Sequence, residues 1–277
     1  MSDDRRSSAG PLLLVGCGKM GGALLGGWLA RGVSAADVVV VEPALDPSRT
    51  EIPDGVSVSA DVAQVPADFA PRVVIFAVKP QVMAEVVPAY ARYAGPDTVF
   101  LSIAAGTPIR YFEGELGADA AVVRVMPNTP AAVRRGMSVL CANPNVNPDQ
   151  RAACADLLAA VGEIAWLEDE DLMDAVTAVS GSGPAYVFLL IECLARAGEE
   201  VGLSADLAAQ LALQTVAGAG ELARLADEDP AQLRINVSSP GGTTLAALEV
   251  LMAEAGLQPL MTAAVRAAER RGRELGA

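Results

Sequence analysis

Residues 12–27, LLLVGCGKMGGALLGG, constrain the fold more than any other stretch of the chain. Leu12, Leu13, Leu14 and Val15 form a short apolar run suited to a buried parallel strand, and they lead at once into Gly16, Gly18 and Gly21 at the G-x-G-x-x-G spacing. Each glycine has its own task. Gly16 permits a tight turn, Gly18 leaves room for a pyrophosphate to approach the backbone, and Gly21 lets the next helix lie close to the strand. The free N–H groups of that helix's first turn, from Lys19 and Met20 onward, then face the anion. Strand, glycine turn and helix in this order read as a dinucleotide site. A glycine-rich turn without a ligand is the plainer alternative, and a later acidic residue weighs against it.

That acidic residue is Glu42. Residues 37–42, DVVVVE, read as a second strand stopped by Pro43, and Glu42 lies 21 residues beyond Gly21. A dinucleotide fold places the carboxylate for the adenosine ribose hydroxyls at about this distance. The scheme then repeats. Apolar runs at 72–78, 99–103 and 121–126 read as strands, with an amphipathic stretch at 81–93. Ligands of an open parallel sheet bind beyond the carboxyl ends of its strands, which makes Ala77, Lys79, Ala104 and Asn128 candidate cofactor contacts. Residues 136–142 and 163–167 read as two more strands around a helix opened by Asn147-Pro148.

From Glu168 onward only helical periodicity remains, at 171–179, 184–201, 205–226, 244–255 and from about Gln258. The expected class is therefore α/β: a Rossmann-type dinucleotide-binding domain at 1–168, its first ten residues disordered, and an all-α domain at 169–277. The acid run 168–171 is read as complementing the positive end of a helix rather than as a metal site. Two segments in the helical half, SGSGPAY at 180–186 and SSPGGTT at 238–244, place glycines and hydroxyls before helices. Backbone N–H groups there can cradle a carboxylate, or the hydroxyls can simply cap the helices. The helices at 184–226 are too apolar for the outside of a monomer, so at least a dimer is expected.

Composition removes other classes. Hydrophobic residues make up 52 % of 277, enough for a large core. A net charge of −14 repels phosphate backbones, so nucleic acid is not an expected partner. The chain has no histidine, and Cys17, Cys141, Cys154 and Cys193 show no C-x-x-C pairing, so no metal site is expected and the cysteines read as reduced, mostly buried thiols. The polar start MSDDRRSSAG has no signal-peptide core, and no uncharged apolar run reaches membrane-span length, so a cytoplasmic protein with no membrane partner is expected.

Read in order, VGCGKMGGA, AVKPQ, SIAAGTP, VMPNTPA, AVSGSGPAYVF and VSSPGGTTLAAL resemble the pyrroline-5-carboxylate reductase family from about Leu12 to Leu275. The resemblance implies reduction of the cyclic imine 1-pyrroline-5-carboxylate to L-proline by NADPH or NADH, in the cytoplasm. It also implies a helical dimerisation domain, with dimers often gathered into rings. By motif position, Ser239, Gly241, Gly242, Thr243 and Thr244 would bind substrate, with Thr244 at the imine nitrogen. Family members that prefer NADPH commonly carry small polar or basic residues where this chain has Glu42, so NADH is expected to be a competent reductant, with Arg49 able to offset that charge.

The chemistry agrees independently. Ketone reduction needs a proton donor near the new alkoxide, usually His or Lys. Here the only lysines are Lys19 and Lys79, both in the nucleotide half. A cyclic imine can arrive already protonated, leaving the enzyme to supply a carboxylate clamp, a hydrogen bond at nitrogen and a placed hydride donor. Two alternatives stay open at this level. A β-hydroxyacid dehydrogenase would want a lysine on a C-terminal helix, and a non-catalytic nucleotide sensor would not need the SSPGGTT loop.

Overall fold

The computed structural model describes residues 10–44 and 52–276. The expected disorder at the N-terminus and the proposed role of Arg49 fall outside these residues. Runs of valine, isoleucine and leucine form the strands: β1 (Leu12–Val15), β2 (Val38–Val41), β3 (Ser57–Ser59), β4 (Val73–Phe76), β5 (Val99–Ser102), β6 (Ala121–Met126), β7 (Gly136–Ala142) and β8 (Gly162–Trp166). They make one sheet in the order β3-β2-β1-β4-β5-β6-β7-β8. Every pair is parallel except β6 with β7. Seven of these strands lie where the sequence pattern puts them. The exception, β3, has one apolar residue among three and sits at the sheet edge, so it carries no hydrophobic run to read.

The described helices are α1 (Lys19–Ala30), α2 (Met83–Val86), α3 (Ile109–Leu116), α4 (Pro148–Ala159), α5 (Met173–Val176), α6 (Gly183–Glu200), α7 (Ala205–Leu225), α8 (Pro230–Asn236), α9 (Thr243–Leu251) and α10 (Leu257–Gly276). Asn147 and Gln150 close a reciprocal capping box at α4, with Pro148 in its first turn. The amphipathic stretch at 81–93 is not one helix. Pro80 opens a 3₁₀ turn before α2, and Pro88, which has no N–H to give the preceding turn, opens another after it.

Alternation along the strands divides the core into two layers. Leu12, Leu14, Val38, Val40, Val73 and Ile75 pack with Leu24, Leu25 and Trp28 of α1 and Leu157 and Leu158 of α4. Leu13, Val15, Val39, Val41, Val74 and Phe76 pack on the other face with Met83, Tyr90 and Phe112. Burying one such aliphatic side chain stabilises the fold by about 1.5–3 kcal/mol, and the indole N–H of Trp28 finds the carbonyl of Leu157 at 2.9 Å.

The compact units do not divide at Glu168. Residues 1–181 and 269–277 form one unit and 182–268 the other. The acid run after β8 is fastened to the nucleotide unit. Glu170 pairs with Arg124 at 2.7 Å and accepts from the Ile109 N–H at 2.9 Å, and Glu168 meets Arg151 at 2.9 Å. The end of α10 belongs to the same unit, where a Cβ on Gly272 would stand 2.9 Å from an Asp174 carboxylate oxygen. A change of periodicity marks where strands stop, and these contacts carry the unit further.

The helical unit has a different character. Gly198 of α6 lies against Ala208 of α7, and Ala208 and Ala212 are the fully buried apolar residues described within it. Phe188 is 59 % and Leu190 50 % exposed. Among the described residues one helical run, Glu170–Glu200, is by length and composition apolar enough to cross a membrane.

Candidate functional site

The order of the central strands reverses between β1 and β4, and the loops at their carboxyl ends carry Gly16 and Ala77 with Lys79. This is the topological switch point at which an open parallel sheet binds ligands. The three fingerprint glycines behave as their tasks require. Gly16 has φ +89°, and a Cβ there would lie 2.7 Å from Val78 Cγ1. A Cβ on Gly18 meets nothing within 4 Å, so the backbone is open to an approaching phosphate. One on Gly21 would stand 2.5 Å from the Gly16 carbonyl, which fixes α1 close to the strand. No side chain caps α1, leaving the first-turn N–H groups of Lys19 and Met20 to an anion. The residues present therefore fit a dinucleotide.

A cleft of about 550 Å³ opens from this turn, and its lining includes Gly18, Glu42, Asp61, Ala77, Lys79 and Glu85. Glu42 does not point away into water. Its Oε2 accepts from the Cys17 N–H at 2.8 Å and its Oε1 from the Ala44 N–H at 3.2 Å. Its own N–H donates to Ser59 at 3.0 Å, extending the β2–β3 ladder by one residue. Burial first, and then the negative charge of Glu42, push the Cys17 thiol up to about 11. Cys17 is thus a packed thiol and not a nucleophile.

The remaining nucleotide-half candidates divide. Ala77 and Lys79 line the cleft. Ala104 is buried, and its N–H donates to Ser102 Oγ at 3.3 Å. Asn128 is already engaged. Its Oδ1 accepts from the Met137 N–H at 2.9 Å, while its Nδ2 donates to the Ser180 carbonyl at 3.3 Å and to Ser180 Oγ at 3.2 Å. The reason lies in the sequence. Residue 184 is proline, so the Ser180 carbonyl lacks the i+4 N–H of a regular helix, and Asn128 supplies a donor instead.

The SGSGPAY segment is correspondingly not a loop. Residues Thr177–Gly181 form a π-helical turn that runs on through Ser182 into α6. A Cβ on Gly181 would overlap Met126 Cε, so a larger residue there would have to displace the end of that side chain. The anion cradle considered for this segment does not form, because the helix has no open start at that point. The SSPGGTT segment keeps the expected form. Gly241 has φ +69°, Gly242 N–H donates to Ser239 at 2.9 Å, and α9 begins at Thr243 with no side-chain cap. Ser239 and Thr243 are exposed and Thr244 is half-buried in the first turn. The first-turn N–H groups of α9 are therefore available to a carboxylate.

A parallel sheet with a glycine fingerprint at its switch point, joined to an all-helical unit, defines a two-unit α/β protein of the nucleotide-binding oxidoreductase class. Residues 170–275 match the family model described as pyrroline-5-carboxylate reductase dimerisation, and residues 12–106 match the one described as NADP oxidoreductase coenzyme F420-dependent. A pyrroline-5-carboxylate reductase of Pseudomonas aeruginosa is 42 % identical over 264 residues, covering 95 % of this chain and 96 % of that protein. The solved pyrroline-5-carboxylate reductase of Coxiella burnetii aligns with TM-score 0.89 and 34 % identity over 97 % of this chain and 99 % of that one. The Plasmodium falciparum pyrroline carboxylate reductase, solved with NADP bound, aligns with TM-score 0.79 and 31 % identity over 96 % and 98 %. The chain belongs to the pyrroline-5-carboxylate reductase family.

Proposed function

We infer that the protein reduces 1-pyrroline-5-carboxylate to L-proline with NADPH or NADH, as the last step of proline synthesis. The observation that carries this is the pairing of an uncapped, glycine-opened helix start in each unit, one suited to a pyrophosphate and one to a carboxylate, in a chain without histidine. Reduced nicotinamide supplies the hydride when bound. The chain's own residues bind and orient. Gly16, Gly18, Gly21 and the N–H groups of Lys19 and Met20 hold the pyrophosphate, and Ala77, Lys79 and the backbone at Ala104 line the cofactor's path. Asn128 acts as a positioning residue, since its side chain is already engaged.

On the substrate side, the backbone at Ser239, Gly241, Gly242 and Thr243 clamps the carboxylate, and the Thr244 hydroxyl meets the imine nitrogen. A protonated imine is already electrophilic, so orientation and charge complementarity carry most of the rate. A second copy of the chain covers the apolar faces of α6 and α7, and dimers of this kind can gather into a ring. That second copy is the partner offered for the apolar run 170–200, in place of a membrane, and the acidic chain acts in the cytoplasm without nucleic acid. The test is oxidation of reduced nucleotide, followed by absorbance, with folded protein and saturating imine. Turnover with either nucleotide is expected, and none with both would end the reading.

A further inference from the structure

We propose that the adenosine end of the cofactor cleft selects an unphosphorylated ribose, so that this enzyme favours NADH, with Glu42 as the specificity-determining residue and Asp61 as its support. The proposal rests on the cofactor reading given above. Three observations carry it. Glu42 is fixed from both sides, its N–H on Ser59 and its carboxylate on the Cys17 and Ala44 N–H groups, so its charge is held at the glycine turn. Each of its oxygens accepts one backbone hydrogen bond and has lone-pair capacity for another, which suits the vicinal hydroxyls of a ribose. The cleft also holds Asp61, fixed through Oδ1 on the Ala63 N–H at 2.8 Å, and Glu85, so that among the described lining residues three carboxylates stand with one ammonium, that of Lys79.

A 2′-phosphate brings no hydroxyl proton to Glu42 and adds like charge to a wall that is already acidic. An ordinary NADP site does the reverse, with an arginine near this position to accommodate the 2′-phosphate. Because the cleft is open to solvent, the discrimination is moderate and depends on salt.

The experiment measures the dissociation constants of NADH and NADPH by fluorescence of the bound dinucleotide, without imine, for the parent, Glu42→Gln, Glu42→Ser and Asp61→Asn. The parent is expected to hold NADH roughly 5- to 30-fold more tightly, with the ratio narrowing as salt rises. Glu42→Gln retains an acceptor for the Cys17 N–H and should bring the ratio near one, chiefly by tightening NADPH. Asp61→Asn should narrow the ratio less. Glu42→Ser also removes the acceptor, and equal weakening of both nucleotides in Ser but not in Gln would separate damage to the turn from loss of charge. A parent that binds NADPH as well as or better than NADH overturns the proposal, as does a ratio unmoved in Glu42→Gln. Turnover with imine is read separately, so loss of the reductase reading would leave these binding constants standing.

Discussion

The two units spend similar side chains in opposite ways. In the nucleotide unit Leu12, Val40 and Ile75 are fully buried, because the sheet is covered on both faces by helices of its own chain. In the helical unit Phe188, Leu189 and Leu190 stand in one apolar run and remain at least half exposed. An apolar residue states that it must be covered, not by what. A parallel sheet brings its cover in its crossovers, whereas these helices leave apolar faces open to a partner.

The sharpest way to break this contrast is to charge the open face. Phe188→Asp with Leu190→Asp should abolish dimerisation and with it activity, since an uncompensated charge buried at an interface costs roughly 3–5 kcal/mol. Nucleotide binding should survive. Light scattering and dinucleotide fluorescence check the two halves, and an active, dimeric double variant would mean these residues face water in the assembly. Next in size, Thr244→Val should lower kcat/KM on the order of 10- to 100-fold, because a hydrogen bond to a charged group contributes about 1.5–3 kcal/mol. Unchanged kinetics with intact folding would remove Thr244 from the site.

On the buried side of the comparison, Asn128→Ala leaves the Met137 N–H and the Ser180 carbonyl without their partner, and should cost about 1–3 kcal/mol of stability. Asn128→Asp can still accept from Met137 but offers Ser180 no donor, so it should not restore the parent's melting temperature. The smallest effect concerns alkali. Burial pushes Cys154 up to about 12, and burial with Glu42 pushes Cys17 up to about 11, from an ordinary 9.0. Both thiols stay protonated in the folded chain at a pH where the unfolded chain releases them. The stability they contribute is therefore whole below pH about 9 and declines as pH rises toward 11–12. Denaturant midpoints between pH 7 and 10 should fall less steeply in Cys17→Ser and Cys154→Ala than in the parent.

Legibility in the sequence followed the strength of the physical signal. Strands buried on both faces announce themselves as aliphatic runs, and β6 and β7 have the limits expected of them. The edge strand β3 and the short helix α8, with Asp229 capping at the Gln232 N–H, carry too few apolar residues to show a period. The glycine turn was legible because each glycine answers a separate steric demand. Asn128 was legible only as a loop residue at a strand end. Its use depends on Ser180, 52 positions away, and no local pattern connects them. The SGSGP run looks like a loop because glycine and proline usually break helices. Here they widen one turn instead, with Gly181 making room for Met126.

The bond between Asn128 and Ser180 also has a consequence for how such chains change over generations. Proline at 184 leaves an acceptor wanting a donor, and asparagine at 128 brings a donor wanting an acceptor, so the two are complementary defects. A chain that lost the proline would fill the acceptor from its own helix and set the asparagine amide adrift, while one that lost the asparagine would strand a carbonyl at the wide turn. Across related sequences, positions 128 and 184 should therefore be kept or exchanged together, as a pair inherited through a hydrogen bond in which neither member is the proline.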